Sequence, residues 1–472
     1  MLPQKFIDNM TYLYGPDETE RFIACLDKPM YHCLRVNTLK ISPEEFLELT
    51  PFHLEPVPWC PNAFYYDDDV NPAKHPYYYA GLYYLQEPSA TLPAATLPIE
   101  PGDRVLDLCA APGGKSTELG ARQRGEGILV SNDISASRAK ALLKNIELFG
   151  IGNSLITTEN GNKLLGTFEG YFDKILIDAP CSGEGMFRKS RSMITAWENN
   201  GVDYFADLQK TIIRDAVRML RPGGSILYST CTYNHYEDEM AVEFILSQDE
   251  SLSLCRIEER DGFVPGIPSA VEPVDPELVK TMHLFPHRVK GEGHFVSLMK
   301  SGGNAGECMS VSSSADDGKN LLSYKNCITS DYMIRNRLKD EATLDFLGHI
   351  SRRFDLSRFE VDRDKVYYIP DGMPDTSGLR VMRRGLLFGE IKKNRFEPSQ
   401  ALAMNLKCSE YDNVTDLAAD DIRVIKYLKG ETIEADSTDG FTLVSVDGYP
   451  LGFAKAKDGT LKNKYLPGWR MM

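Results

Sequence analysis

The chain has 472 residues, of which 42% are hydrophobic and 26% are charged. At roughly 150 residues per domain this length predicts two to four domains, and the composition excludes a disordered chain or a disulfide-rich miniprotein. Lys and Arg number 53 against 68 Asp and Glu, which gives a net charge of −15, so nucleic acid binding would require a local basic patch.

Targeting and redox signals in the sequence are few. No apolar run reaches the roughly 18 to 20 residues that a membrane crossing needs, and the first residues lack the apolar core of a signal peptide. The ten cysteines include no Cys-x-x-Cys pair, which argues against a zinc site and against a disulfide framework. We therefore expect a cytoplasmic protein with reduced thiols.

Composition and periodicity divide the chain into five parts. A stretch rich in Ser, Gly, Asp and Asn has no aromatic residue and cannot offset its ordering entropy by burial, so it predicts a flexible linker. Before this linker, apolar runs alternate with helical patterns, as in a parallel sheet with crossover helices. The predicted parts are an N-terminal unit (1–94), an α/β domain (95–300), the linker (301–320), an intermediate α+β region (321–390) and a β-rich terminal module (391–472).

Apolar runs predict the elements of the N-terminal unit and of the α/β domain. The Tyr-rich segment 75–85 has the spacing of a helix or strand face, and we interpret it as core rather than as a surface that stacks bases. In the α/β domain, strands are predicted at 104–109, 127–133, 173–178 and 225–231, with helices at 116–122, 137–149 and 204–220.

A glycine turn follows the first strand of the α/β domain. The segment Asp107-Leu-Cys-Ala-Ala-Pro-Gly-Gly-Lys-Ser116 lies at the carboxyl end of that strand, where such sheets bind ligands. A phosphate-binding P-loop is excluded, because Cys109 stands where its first glycine is required. Asp133 follows Cys109 by 24 residues, near the distance at which these folds hold a ribose, although an ordinary helix N-cap fits this position equally well.

Two cysteines follow the ends of later strands. Cys181 lies in Asp178-Ala-Pro-Cys-Ser-Gly183 and Cys231 lies in Ser229-Thr-Cys-Thr232, 50 residues further on. Because neighbouring parallel strands end on the same edge of a sheet, we expect both thiols beside the glycine turn. A single strand-end cysteine is usually an inert small hydrophobe, but two on one edge favour a reactive site.

These motifs carry a family resemblance. Leu106-Asp-Leu-Cys-Ala-Ala-Pro-Gly-Gly-Lys115, Asp178-Ala-Pro-Cys-Ser-Gly-Glu-Gly185 and Tyr228-Ser-Thr-Cys-Thr232 resemble the motifs of the NOL/NOP/Sun family of RNA 5-methylcytosine methyltransferases. The segments 35–39, 86–89, 284–294 and 468–470 are similar to those of its subgroup called ribosomal RNA small-subunit methyltransferase F. The resemblance implies a Rossmann-like class I S-adenosylmethionine-dependent methyltransferase core, an N-terminal α+β RNA-binding unit and a C-terminal PUA-like module.

The resemblance also implies roles for individual residues. Cys231 is the nucleophile that adds to the cytosine ring, and Cys181 assists release of the methylated base. Asp178 is protonated or hydrogen-bonded at the cytosine edge, between base and cofactor. S-adenosylmethionine is bound by Cys109, Ala110, Ala111, Pro112, Gly113, Gly114, Lys115, Asp133, Asn160 and Asp178. At Asn160 the family usually has an acid, so Glu159 is an alternative contact to the adenine.

Basic segments are the expected contacts to RNA, although short clusters of this kind are more often solvated faces. One segment follows the Asp-Ala-Pro-Cys turn and would lie at the mouth of the site, and another lies near the predicted terminal module. The residues predicted to contact RNA are Arg188, Lys189, Arg191, Lys392, Lys393 and Arg395.

The sequence leaves rival functions open. The expected substrate is small-subunit ribosomal RNA, but the same chemistry on transfer RNA is compatible with every motif. A noncatalytic RNA-binding assembly factor is less well supported, because such a protein needs neither Cys181 nor Cys231. We expect a monomer without a metal site.

Overall fold

The structure is a computed structural model that describes residues 2–189, 191–303, 338, 340–393 and 395–472, and for residue 191 the backbone alone. Most of the predicted linker, residues 304–320, and the start of the intermediate region, 321–337, lie outside this part of the chain. Within the described ranges, no helix combines the length and the low polarity that a membrane crossing requires.

The N-terminal unit combines helices with an antiparallel sheet of order β2-β3-β1-β4. Tyr77 and Tyr83 from the Tyr-rich segment are buried, which agrees with their interpretation as core. The elements are α1 (Gln4–Tyr14), α2 (Pro16–Cys25), β1 (Cys33–Val36), α3 (Pro43–Leu49), β2 (Leu54–Pro56), β3 (Ala63–Tyr66), α4 (Pro76–Tyr79), β4 (Tyr83–Gln86) and α5 (Leu92–Thr96).

The central domain alternates strands and helices along the chain. Its elements are β5 (Arg104–Asp107), α6 (Gly114–Arg122), β6 (Ile128–Asn132), α7 (Ala136–Leu148), β7 (Ser154–Thr157), α8 (Gly161–Phe168), β8 (Phe172–Asp178), α9 (Arg191–Met219), β9 (Leu220–Thr230), α10 (Glu239–Gln248), β10 (Leu252–Cys255), β11 (Phe263–Pro265), β12 (Met282–Leu284) and β13 (His294–Ser301). The predicted helix 204–220 is the second part of α9, which bends at Gly201, where φ is +72°.

Seven strands of the central sheet follow the order β7-β6-β5-β8-β9-β13-β10. The first five are parallel, and β13 runs antiparallel to both β9 and β10. This arrangement confirms the predicted Rossmann-like methyltransferase core. Strands β5, β6 and β8 are almost completely buried because helices cover both faces of the sheet, which explains their continuous apolar sequences.

The C-terminal half builds two further sheets and one edge of the central sheet. Strand β16 pairs antiparallel with β7, and the other strands form sheets of order β14-β15-β17-β18 and β19-β21-β22-β23-β20. The elements are α11 (Glu341–Gly348), β14 (Phe359–Asp362), β15 (Lys365–Tyr368), β16 (Val381–Arg384), β17 (Leu386–Lys392), β18 (Arg395–Pro398), α12 (Gln400–Asn405), β19 (Val414–Leu417), α13 (Ile422–Leu428), β20 (Ile433–Glu434), β21 (Gly440–Val446), β22 (Tyr449–Lys457) and β23 (Thr460–Asn463).

The two ends of the chain share one hydrophobic core. Tyr77 and Tyr83 of the N-terminal unit belong to the same buried cluster as Tyr427 and Leu451 of the terminal module. The Tyr77 hydroxyl also donates a hydrogen bond of 2.8 Å to Asp447. The N-terminal unit and the terminal module are therefore packed against each other through this shared core.

Candidate active site

The glycine turn connects β5 to α6 and forms one wall of a cavity of about 230 Å³. Gly113 has φ +110°, and a Cβ there would lie 3.1 Å from Leu142 Cδ1. A Cβ on Gly114 would lie 3.0 Å from Tyr84 Cε1. Side chains at these positions would strain the turn or press on the residues that enclose the cavity, which explains the two glycines.

The N-terminal unit forms the opposite wall, which the sequence alone did not reveal. Tyr84, Gln86 and Glu87 line the cavity together with the turn, Lys115 and Asp178. Arg35 of β1 is fully buried and ties this wall to helix α6, because it donates to the Gly114 carbonyl and pairs with Glu118 at 3.0 Å. The motifs 35–39 and 86–89 thus help to enclose the cavity.

Asp107 at the end of β5 carries an unused acceptor. Its Oδ2 accepts a hydrogen bond of 2.6 Å from Ser116, but its buried Oδ1 has no partner among the described residues. Burial raises the pKa of Asp107 to about 7, although the Ser116 hydrogen bond opposes this shift. Asp107 lines the cavity, so Oδ1 is available to a donor on a bound molecule.

Asp133 follows strand β6 and supports the turn. Its Oδ2 accepts from the Ala111 N–H at 3.2 Å, and its Oδ1 accepts from the Ser135 N–H at 2.9 Å. The N-cap of α7 is Ser135, whose side chain accepts from the Arg138 N–H. The alternative role of Asp133 as an ordinary N-cap is therefore wrong.

The two candidates for the adenine contact differ in their surroundings. Glu159 is buried, and its carboxylate accepts from the backbone and side chain of Arg380 at 2.7 and 3.0 Å. Asn160 is exposed, and its Oδ1 caps helix α8 by accepting from the Lys163 N–H. The Glu159 carboxylate thus already binds Arg380 of the C-terminal half, whereas the Asn160 side chain is exposed.

Asp178 ends β8 inside a network of donors. The Lys115 ammonium lies 2.7 Å from Oδ2, and the Ser229 hydroxyl donates to Oδ1 at 2.8 Å. His294 Nε2 lies 3.4 Å from Oδ1. Burial would raise the pKa of Asp178, but Lys115 and His294 outweigh it, so this pKa lies below its usual range. These contacts favour the ionised form of Asp178, which leaves a hydrogen-bonding role open to it, and His294 borders the site.

The two cysteines meet beside Asp178. Cys181 Sγ and Cys231 Sγ are 3.3 Å apart, and the Cys231 N–H also approaches Cys181 Sγ at 3.4 Å. The hydrogen bond with Cys231, together with burial, raises the pKa of Cys181 well above its usual value. The thiol form of Cys181 is thus favoured, and its sulfur shares a hydrogen bond with that of Cys231 in which either thiol can donate.

Buried carboxylates hold the two cysteine loops together. Glu237 accepts from the Ser182 N–H at 2.9 Å and from the Asn234 amide at 2.8 Å. Glu184 accepts from the Tyr233 N–H at 3.0 Å. The Ser182–Glu237 and Tyr233–Glu184 contacts join the loop that follows β8 to the loop that follows β9, and the Asn234 contact fixes Glu237 within its own loop.

The basic residues predicted from sequence lie in different environments. Arg188 is buried in an ion pair with Glu292 and donates to the Cys25 carbonyl, so its prediction as a surface contact to RNA is wrong. Lys189 and Lys393 are exposed. Lys392 pairs with Glu390 and Arg395 with Glu397 on the β17–β18 hairpin, outside the cavity. The side chain of Arg191 lies outside the described part of the chain.

Family models match along most of the chain. The 16S rRNA methyltransferase RsmB/F model matches residues 94–300, and the N-terminal domain of 16S rRNA methyltransferase RsmF matches residues 2–88. The RsmF rRNA methyltransferase first C-terminal domain matches residues 345–406, and the methyltransferase RsmF PUA domain matches residues 414–471. The chain belongs to the ribosomal RNA small subunit methyltransferase F family. This membership confirms the resemblance read from the motifs.

Relatives of similar length support the assignment to this family. The ribosomal RNA small subunit methyltransferase F of Erwinia tasmaniensis is 31% identical and aligns over 98% of this chain and 95% of its own. The protein of the same name from Vibrio campbellii is also 31% identical, over 98% and 96%. A crystal structure of a methyltransferase homologue from Pyrococcus horikoshii is 27% identical, with a TM-score of 0.55, covering 63% of this chain and 95% of that one.

The cavity fits the cofactor of this family. The chain is an S-adenosylmethionine-dependent methyltransferase. A Cβ at Gly114 would come within 3.0 Å of the facing Tyr84, so glycine keeps this part of the cavity open. The unpartnered Asp107 Oδ1 offers an acceptor suited to the ammonium group of the cofactor. Both features lie where Rossmann-like sheets bind nucleotide-like ligands, at the carboxyl ends of the strands.

Proposed function

We propose that this methyltransferase modifies carbon 5 of cytosine in small-subunit ribosomal RNA through a transient bond between Cys231 and carbon 6 of the base. The observation that carries this proposal is the distance of 3.3 Å between Cys181 Sγ and Cys231 Sγ, beside Asp178 at the edge of the cofactor cavity. Two thiols in one site are unnecessary for a protein that only binds RNA.

A thiol that adds to the base can make carbon 5 of cytosine reactive toward a methyl group. Carbon 5 of cytosine is a weak nucleophile, and a thiolate that adds to carbon 6 moves electrons of the 5,6 double bond toward the ring nitrogen and makes carbon 5 reactive. At 3.3 Å, the thiol of one cysteine can stabilise a negative charge on the sulfur of the other. We assign the nucleophile to Cys231 because the motif Ser229-Thr-Cys-Thr232 implies that role.

Release reverses the addition. The proton on carbon 5 passes to a water molecule, its electron pair restores the 5,6 double bond, and the bond between carbon 6 and Cys231 Sγ breaks with its electron pair leaving on that sulfur as a thiolate. Cys181 is the group close enough to Cys231 to assist this step. Without Cys181, the bond to the base forms and persists.

Asp178 positions the base. It is ionised, so it accepts a hydrogen bond from the exocyclic amino group of cytosine rather than donating one. Lys115 and His294 contact the same carboxylate, and a donor on either can pass a proton toward ring nitrogen 3 as charge develops there. This network distinguishes cytosine from uracil, because uracil presents a carbonyl where cytosine has an amino group.

The cofactor-binding residues are proposed from the cavity and from the family motifs. When bound, S-adenosylmethionine would supply a methyl group on a positively charged sulfur. Most of the turn from Cys109 to Lys115 lines the cavity and would surround its methionine part, Asp133 beside the turn would hold the ribose, and Asn160 would contact the adenine. Asn160 is preferred to Glu159 because Arg380 occupies the Glu159 carboxylate.

The substrate is proposed from the relatives and from surface charge. The matching proteins are named for small-subunit ribosomal RNA, and the terminal module matches a PUA domain. Lys189 is exposed near the cysteine loops and Lys393 is exposed on the β17–β18 hairpin, so both are available to RNA phosphates. Lys392 and Arg395 remain candidates if RNA displaces their carboxylate partners.

The decisive experiment traps the bond between enzyme and base. Cys181→Ala is mixed with small-subunit ribosomal RNA and S-adenosylmethionine, and we expect a labelled RNA band of reduced mobility on a denaturing gel. The double variant Cys181→Ala/Cys231→Ala should give no band, and Cys255→Ala, which removes a half-buried thiol elsewhere, should behave as wild type. Absence of the band in Cys181→Ala would falsify the release step.

The identity of the modified base needs a second readout. Bisulfite sequencing of ribosomal RNA from cells with and without the gene should show one or more cytosines that lose protection when the protein is absent. Parallel sequencing of transfer RNA tests the rival substrate. Protection that depends on the protein only in transfer RNA would contradict the ribosomal assignment while leaving the chemistry intact.

A further inference from the structure

A larger cavity, of about 560 Å³, lies at the amino ends of the parallel strands, opposite the cofactor cavity. We call it the basal cavity. Arg124, which precedes β6, and Asn153, which precedes β7, line it from the central domain. The N-terminal unit contributes Lys40, the intermediate region contributes Arg352, Arg353, Phe354 and Arg358, and the terminal module contributes Tyr449. Four parts of the chain thus meet around a space of the size that ligand sites usually have.

The charge of the basal cavity is opposite to that of the protein. Its lining includes six Lys and Arg residues and one carboxylate, Glu410, in a chain where acidic residues outnumber basic ones. Glu410 pairs with Arg352 at 2.7 Å. Arg124, Arg353 and Lys407 are exposed. Among the described residues their side chains form no ion pair, although the Lys407 backbone N–H donates to Glu410 at 2.8 Å. Cations held together without counter-charges repel one another, and an anionic ligand relieves that repulsion.

Aromatic rings set the position of two of these cations. The Arg358 guanidinium lies 4.5 Å from the centre of the Tyr368 ring, and that of Arg352 lies 5.4 Å from the Phe354 ring. Stacked guanidinium groups are weakly hydrated and hold their donors in fixed positions, which suits them to phosphate. Arg352 already donates from both terminal nitrogens to Asn405 and Glu410, whereas Arg358 uses its Nε on the Ile369 carbonyl, so Arg358 is the stacked donor offered to a ligand. A lining of cations and aromatic rings in a concave space matches a nucleotide, which offers both a phosphate and a flat base.

We propose, on the basis of the function proposed above, that the basal cavity binds a nucleotide segment of the RNA substrate at a distance from the target cytosine. Arg124, Arg353 and Lys407 contact its phosphates. The cavity and the cysteines lie at opposite ends of the parallel strands, and five residues of β6 span about 16 Å. One RNA that occupies both sites must reach around the domain, so the enzyme selects a large folded RNA over a short oligonucleotide.

The test compares two triple variants of the full-length protein. Arg124→Gln/Arg353→Gln/Lys407→Gln removes the free cations of the basal cavity, and Lys5→Gln/Lys140→Gln/Lys300→Gln removes the same charge from exposed lysines outside it. Binding of transcribed 16S rRNA and of a 20-nucleotide single strand is measured at several salt concentrations. Circular dichroism and S-adenosylmethionine affinity check that both variants fold.

The cavity variant should bind 16S rRNA on the order of tenfold more weakly at low salt, and its slope of log affinity against log salt should be shallower by about 2 to 3. The control variant should lose much less affinity for 16S rRNA. Both variants should bind the 20-nucleotide strand with the affinity of wild type. Equal loss in both variants, or unchanged 16S rRNA binding in the cavity variant, would overturn the assignment of the cavity.

Other anions give different outcomes. Tighter binding of inorganic phosphate or adenosine monophosphate to wild type than to the cavity variant, with unchanged RNA binding, would identify a small-anion site instead. An acidic protein as the ligand would leave naked RNA binding intact and would weaken only binding of the assembled subunit. If the wild-type protein binds no ribosomal RNA, the proposed function itself fails. If the wild-type protein binds it and the cavity variant binds it equally well, only the assignment of the cavity fails.

Discussion

The carboxyl ends of the parallel strands, here called the catalytic edge, and their amino ends, the basal edge, differ in how their charged side chains are partnered. At the catalytic edge, Asp178 and Glu159 are each held by a cation within 3.0 Å, so both carboxylates have fixed partners. At the basal edge, the side chains of Arg124, Arg353 and Lys407 form no ion pair within the described ranges. Paired charges keep reactive groups in place, whereas unpaired cations remain available to a polyanion.

This difference predicts where single changes matter. A site built from mutual contacts loses its geometry when one member is removed. A surface built from independent cations loses affinity in small steps, one phosphate contact at a time.

Cys231→Ala should lower methyl transfer by at least about a thousandfold, because no other group can form the bond to carbon 6. The affinity for S-adenosylmethionine should stay within about twofold of wild type, since Cys231 does not line the cofactor cavity. Methyl incorporation from labelled cofactor and calorimetric titration measure the two quantities. Activity in this variant close to that of wild type would assign the nucleophile elsewhere.

Lys115→Met should move the acidic limb of the pH–activity profile upward. Lys115 holds the pKa of Asp178 below its usual range against the opposing effect of burial. Without the ammonium, burial raises this pKa, so Asp178 becomes protonated at higher pH than in wild type. We expect about tenfold lower kcat at pH 6 and a smaller loss at pH 8.

Lys140→Met on helix α7 is the matched control, because Lys140 is exposed and lies outside the cavity. Its profile should coincide with that of wild type. A gain of activity at low pH in Lys115→Met would mean that a protonated Asp178 is the active form, and the roles assigned to this network would then be reversed.

The sequence could predict the elements that carry the motifs, because their signals are local. Buried parallel strands require continuous apolar runs, and a glycine turn after the first of them marks the cofactor edge. The proximity of Cys181 and Cys231 also followed from strand order alone. Neither inference needed knowledge of distant segments.

Other features depend on contacts between segments far apart in the chain. Arg188 looked like a surface cation, but it pairs with Glu292, 104 residues later. Strand β16 completes the edge of the central sheet from beyond the predicted linker. The sequence near Arg188 does not indicate Glu292, and the sequence near β7 does not indicate β16, because both contacts depend on how whole units pack. The ionised state of Asp178 has the same origin, because Lys115 and His294 reach it from other elements.

Asp107 is the exception at the catalytic edge, and its titration offers the subtlest test. Burial raises its pKa to about 7, against the opposing hydrogen bond from Ser116. Protonated Asp107 is neutral, whereas ionised Asp107 attracts the ammonium group of S-adenosylmethionine. Because the protonated fraction falls steeply between pH 6 and pH 8, we expect the affinity for the cofactor to rise about tenfold over this interval.

Two variants test this cause. Asp107→Asn cannot ionise and should bind the cofactor with an affinity that is nearly independent of pH in calorimetric titrations. Ser116→Ala removes the hydrogen bond that opposes the upward shift, so it should move the midpoint of the pH dependence above that of wild type. If Asp107→Asn kept the wild-type pH dependence, another group would be responsible, and the unpartnered Oδ1 would have no part in holding the ammonium.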